Sequence, residues 1–84
     1  MERRKLAEKA REIEPVLRIG KNGITEGIIE EIKMQLKKKK LIKIKFLKSA
    51  MEDIDKKALA LRIAEDTNSE LIDQVGFVIV LHKR

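Results

Sequence analysis

Apolar residues along the chain fall into runs whose period alternates between that of a helix and that of a strand. Leu6, Ala10 and Ile13 recur at helical spacing with charges between them, so residues 3–12 read as an amphipathic helix. Pro15 stops it and pushes Glu14 towards extended geometry. Val16 to Ile19 is then a short strand ending at Gly20. Thr25 is a good N-cap, and Glu26 follows in the first turn, where the helix dipole favours a carboxylate. Ile24 and Ile29 have the spacing of a hydrophobic staple around that cap. Ile28, Ile29, Ile32 and Leu36 make the buried stripe of this second helix, and Lys37 to Lys40 close it with positive charge at its negative end.

From Leu41 to Leu47 the period drops to two: Ile42, Ile44 and Phe46 take one face, and Lys43 and Lys45 take the other with Leu41. This predicts a half-buried strand with a basic outer face. A third helix is expected from a cap at Ser49, with Glu52 completing a capping box, or at Asp53. It would carry Ile54, Ala58, Leu59, Leu61 and Ile63, run to about Thr67 and end at a left-handed Asn68. Leu71 to Val75 and Phe77 to Leu81, split at Gly76, predict a tight hairpin whose turn residues are not a standard pair. The order is α-β-α-β-α-β-β. Strands joined through helices favour parallel pairing, with a final antiparallel pair. The expected fold is α/β: a two-layer sandwich with a four-stranded mixed sheet and helices mainly on one face.

Composition narrows the class. With 84 residues the whole chain, 1–84, is expected to be a single domain. Twenty Lys+Arg against 14 Asp+Glu leave a formal charge of +6, which suits a polyanionic partner. No segment approaches a bilayer-spanning apolar run, and the charged N-terminus has no signal-peptide core, so neither a membrane partner nor export is expected. The absence of cysteine removes thiol nucleophiles, disulfides and Cys-based zinc sites, and fits a cytoplasmic location.

Gly20-Lys21-Asn22-Gly23 stands between a strand and a helix N-terminus. Two glycines permit close backbone approach and dihedrals barred to other residues. Free amides and the dipole beyond them favour an anion. Lys21 adds a mobile cation, and Asn22 an amide donor. A nucleic-acid phosphate suits such a bend; the competing reading is a turn that needs glycine for geometry alone. The residues do not make a Walker A loop or a dinucleotide fingerprint, because no hydroxyl residue follows Lys21 and the glycine spacing is wrong.

Pro15-Val16-Leu17, then Ile19-Gly20-Lys21-Asn22-Gly23-Ile24-Thr25-Glu26-Gly27-Ile28, then Leu41-Ile42-Lys43-Ile44-Lys45, resembles the CRM domain in its stand-alone, YhbY-like form. The likeness covers nearly the whole chain. It implies a fold like the C-terminal domain of a bacterial translation initiation factor and binding to structured RNA, with the Gly-x-x-Gly loop likened to that of KH domains. Bacterial stand-alone members associate with precursors of the large ribosomal subunit, and plant organellar members act in group II intron splicing. By this resemblance Gly20, Lys21, Asn22 and Gly23 form the RNA-contact loop, while Thr25, Glu26 and Gly27 open the following helix. The chain departs from the family's pattern at Asn68, where glycine is expected, and at His82, where an aromatic is common.

Several other residues bear on binding. Arg18 is the flanking cation closest to the loop in sequence, and Lys43 and Lys45 form an aligned pair on a strand. Arg3, Arg4, Lys5, Lys9 and Arg11 would extend the surface if the first helix packs beside the loop. The Lys37–Lys40 run reads either as a phosphate grip or as a solvated helix end. Asp53 with Asp55, and Glu65 with Asp66, read as caps and solvated charges before metal ligands, and lone His82 has no partner for acid–base work. With only Phe46 and Phe77 aromatic, recognition by base stacking is not expected, and specificity should come from RNA shape. The expectation is a monomeric, non-enzymatic protein with no cofactor, metal or small-molecule substrate, bound to rRNA or its large-subunit precursor. A module docking on ribosomal proteins, or a DNA-binding domain, is the alternative.

Overall fold

A computed structural model of the chain describes residues 3–20, 23–48 and 54–84. The elements follow the expected order: α1 (Arg3–Ala10), β1 (Leu17–Ile19), α2 (Glu26–Lys39), β2 (Leu41–Phe46), α3 (Lys56–Asp66), β3 (Ser69–Val75) and β4 (Val78–Lys83). The four strands form one mixed sheet in the order β1-β2-β4-β3. β1 and β2, joined through α2, pair parallel, as expected of strands joined by a helix. β2 and β3 are also joined through a helix, but β4 inserts between them and pairs antiparallel with both.

Alternation along the strands divides the apolar residues between two faces. Ile42, Ile44 and Phe46 of β2, with Ile19, Ile79 and Leu81 from the neighbouring strands, are fully buried against Ile32 and Leu36 of α2 and Ala60, Ile63 and Ala64 of α3. This is the main core. A smaller cluster lies on the opposite face, where Leu6 and Ala10 of α1 bury Ile72 and Val80, with Ile13 and Leu41 at its margin. The outer face of the sheet, expected to be open and basic, is therefore partly roofed by α1.

Helix ends follow local chemistry. The Thr25 hydroxyl accepts the Ile28 N–H at 3.2 Å, as its N-cap position requires. α3 begins later than expected: Asp55 caps it, one carboxylate oxygen accepting from Lys57 N at 3.0 Å and Ala58 N at 3.2 Å. Ser49, Glu52 and Asp53, the expected caps, lie outside the described residues. Ile54, expected on the helix, falls ahead of it and is exposed, as are Ala58 and Leu61 within it. The buried stripe is Ala60, Ile63, Ala64 and Thr67, a true i, i+3, i+4, i+7 series. Asn68 does take a left-handed conformation, φ +52°, beyond the helix.

The hairpin turn is Gly76-Phe77, closing on the Val75–Val78 pair. Positive φ at Gly76 (+58°) without positive φ at Phe77 is the pattern of a type II′ turn, which favours Gly at its first central position. β3 carries one irregularity that periodicity does not announce. Leu71 pairs with Leu81 and Asp73 with Val80, so Ile72 is an extra residue, a β-bulge. Among the described residues no helix is long and apolar enough to cross a membrane.

Candidate nucleic-acid interface

Gly20 follows directly on the last residue of β1, and its carbonyl oxygen accepts the N–H of Gly23 at 3.0 Å. Gly23 sits at φ +68°, a region that side chains with a Cβ rarely adopt. The bend is thus closed by its own hydrogen bond, and the Gly23 amide is committed to it. The free amides expected at the bend therefore do not include that of Gly23. Lys21 and Asn22, expected to supply the ammonium and the side-chain amide, lie outside the described residues. A Cβ on Gly20 would come within 3.2 Å of Leu47 Cδ1. Glycine there lets the end of β2 close against the bend, where Leu47 N–H reaches the Ile19 carbonyl oxygen at 2.9 Å. α2 starts just beyond, but Glu26 already places a carboxylate in its first turn. Attraction for an anion therefore falls mainly on the cations nearby.

Strand register decides which cations those are. Arg18 and Lys45 are direct partners in the parallel pairing of β1 with β2, and both are exposed. Their chain neighbours Ile19, Ile44 and Phe46 point into the main core, so both cations project from the α1 face. Lys43, two residues before Lys45, shares that face and lines a depression with Arg11, the residue after α1. Arg18, Lys43 and Lys45 thus gather on one face of the sheet, at whose end Gly20 stands.

Other expected contributors are elsewhere. Arg3 Nη2 lies 3.7 Å from Glu70 Oε1. Glu70 pairs with His82, which pairs with Leu41, so this ion pair marks the end of the sheet where β2 begins, on the β3 edge. Gly20 leaves the opposite end from the β1 edge. Arg3 and Arg4 were expected to extend the loop surface if the first helix packs beside the loop; α1 instead crosses the sheet with its N-terminus at the far corner. Arg11, just past the end of α1, does line the depression beside Lys43. Lys37–Lys40 also sit away from the bend, because 14 residues of helix separate the ends of α2 by about 21 Å. Lys40 caps that end at φ +65°, its N–H donating to the Leu36 carbonyl and its own carbonyl accepting from Lys83 N, each at 2.8 Å.

Two further cations lie at the loop end of the sheet. Lys48 follows Leu47 and is exposed, and Lys56 Nζ stands 4.0 Å over the Phe77 ring. Phe77 in turn accepts the Phe46 N–H at its carbonyl oxygen, 2.7 Å away. Neither lysine was legible as part of this surface, since only the closing of the sheet brings residues 46–48 and 77 beside the bend. Of the acidic residues weighed as metal ligands, Asp55 caps α3 and Asp66 Oδ2 lies 3.7 Å from Arg62 Nε, while Asp53 lies outside the described residues. Among the described residues, no three His, Cys, Asp or Glu side chains are grouped as a metal site.

Comparison with known proteins agrees with the fold. The family model of the CRS1 / YhbY (CRM) domain matches residues 1–83. A Methanocaldococcus jannaschii protein named "Probable RNA-binding protein MJ0652" is 40% identical over 81 residues, which make up 96% of this chain. The chain spans 60% of that relative's length. A Bacillus subtilis protein named "Probable RNA-binding protein YqeI" is 32% identical, over 98% of this chain and 83% of its own. The solution structure of SAV1595 from Staphylococcus aureus superposes with a TM-score of 0.82 at 36% identity, covering 98% of this chain and 83% of that one. With a match running from end to end of the described sheet and helices, the chain belongs to the CRS1/YhbY (CRM) domain family.

Proposed function

We propose that this chain binds structured RNA through the sugar-phosphate backbone, using the Gly20–Gly23 loop and the cations of the adjoining sheet face. The observation that carries this reading is the registered pair Arg18–Lys45, two residues before Gly20 in the chain. Two cations one strand spacing apart, about 4.8 Å, fit a chain of phosphates better than a single anion. Relatives named as RNA-binding proteins support it. The function we assign is association with rRNA or its precursor during assembly of the large ribosomal subunit, by a monomer in the cytoplasm. No bond is made or broken, and the loop holds phosphate while RNA shape supplies specificity.

The test is binding of the full chain to a folded large-subunit rRNA fragment at physiological salt, with duplex DNA of equal length as competitor. RNA should be held and DNA should compete poorly. Unchanged affinity after joint substitution of Lys21 and Asn22 by Ala would remove the loop from the mechanism. Loss of all affinity for naked RNA would instead favour a role in docking on protein.

A further inference from the structure

We infer that the depression between α1 and the uncovered part of the sheet receives one unpaired nucleobase of the bound RNA, with the Asp73 carboxylate accepting the base's N–H donors. This rests on the RNA-binding reading above and adds to it a base-specific contact.

The row of residues across the sheet beyond α1 is Arg18, Lys45, Val78 and Val75, each paired with the next. Its character changes halfway. Two cations on the β1 side give way to two valines on the β3 side, and Val75 is 68% exposed. Together with Val80 below and Ala7 and Ala10 of α1, the valines floor a depression of about 410 Å³. Arg11 and Lys43 stand at its rim. Lys45 and Val75 are two strand spacings apart, about 10 Å, so a nucleotide whose phosphate rests on Lys45 can lay its base over the valines.

Asp73 lines the same depression, and its presence selects the occupant. A carboxylate among phosphate-binding cations repels a phosphate. It is not absorbed by an ion pair among the described residues, and Oδ1 takes only the adjacent Gln74 N–H, at 2.9 Å. The bulge at Ile72 puts it there. Strict alternation would send residues 72 and 73 to opposite faces. Instead Ile72 is buried under α1 and Asp73 faces the depression from the same side, both opposite Val80. Bulges commonly re-aim a side chain in this way.

A group with apolar faces, N–H donors at one edge and a tether to a phosphate chain matches this surface, and an unpaired nucleobase is such a group. Guanine matches it best, because it offers two adjacent N–H donors to the two oxygens of one carboxylate, whereas uracil offers one. Arg11 can cover the exposed base face with its planar guanidinium. The aliphatic floor replaces the aromatic platform that this chain lacks.

The experiment measures affinity of the full chain for three RNA hairpins that share one stem and carry a single bulged guanosine, a bulged uridine or a bulged abasic site. The guanosine hairpin should bind about tenfold tighter than the uridine one, the size of one extra hydrogen bond to a charged group, and tighter still than the abasic one. Asp73→Ala should bring guanosine down to the level of uridine. Val75→Ser, at a site too exposed to endanger folding, should lower both towards the abasic value. Equal binding of all three hairpins by the wild-type chain overturns the base pocket and leaves the phosphate reading standing. Absence of binding to any hairpin overturns both. A guanosine preference that survives both substitutions overturns the assigned location.

Discussion

Gly23 donates its N–H to the carbonyl oxygen of Gly20 at φ +68°, so the two glycines of the loop are bound to each other and have different reasons to be glycine. A Cβ at position 23 would meet no atom of the described residues within 4 Å, and its penalty is conformational. Gly23→Ala should therefore destabilise the fold by about 1–2 kcal/mol, the cost of a left-handed residue with a side chain. At position 20 the Cβ would press on Leu47 Cδ1 at 3.2 Å, but Leu47 is 39% exposed and can turn aside. Gly20→Ala should cost less, under about 1 kcal/mol. Urea denaturation of both variants checks this order; equal losses would mean that backbone conformation is not what the loop requires of Gly23.

Because the Gly23 amide is used inside the bend, the side chains of Lys21 and Asn22 carry more of the expected grip on RNA. Lys21→Ala should weaken binding by about three- to tenfold, the scale of a single ammonium–phosphate interaction, with melting temperature unchanged. Gly23→Asp should weaken it further, adding repulsion to backbone strain. Titration of a folded rRNA fragment beside a thermal melt separates the two effects. A fall in melting temperature that accounts for the weaker binding would assign Lys21 a structural role instead.

Salt dependence can map the surface. Arg18 and Lys45 project side by side near the bend, while Arg3 is held against Glu70 at the opposite corner of the sheet. Replacing Arg18 or Lys45 by Ala should lower the slope of log affinity against log salt by about one each, as expected when one phosphate is no longer neutralised. Arg3→Ala should leave the slope unchanged. A reduced slope for Arg3→Ala with none for Lys45→Ala would move the RNA to the N-terminal end of α1.

Much of this arrangement is written in local pattern. The period-two run at Ile42, Ile44 and Phe46 marked the main core face of β2, and Thr25 with Glu26 marked the start of α2. Asn68 was legible because a short polar residue tolerates the left-handed backbone that ends a helix. What sequence could not supply is whatever depends on distant pairing. That α1 roofs the Lys43 face, and that Arg3 lands beside Glu70, follow from where β3 lies in the sheet. The bulge at Ile72 is equally hidden, because an apolar residue followed by an acid looks like ordinary alternation.

The inward face of α3, which its run of apolar residues leaves open, leads to a final prediction. Leu61 is bulkier than either alanine, but the helix turns Ala60, Ile63 and Ala64 inward, and Leu61 is 51% exposed. Alanine at 60 and 64 lets the helix backbone approach the sheet closely, a benefit that weighing residues by hydrophobicity overlooks. Two substitutions should then behave contrary to hydrophobic intuition. Ala60→Leu adds apolar volume at a site with no exposure and should destabilise by about 1–3 kcal/mol through overpacking. Leu61→Ser removes a large apolar side chain and should stay within about 0.5–1 kcal/mol of the wild type, since half of that side chain already faces water. Denaturant midpoints of the two variants decide it. A Leu61→Ser loss exceeding that of Ala60→Leu would mean that α3 is rotated about its axis from the orientation described.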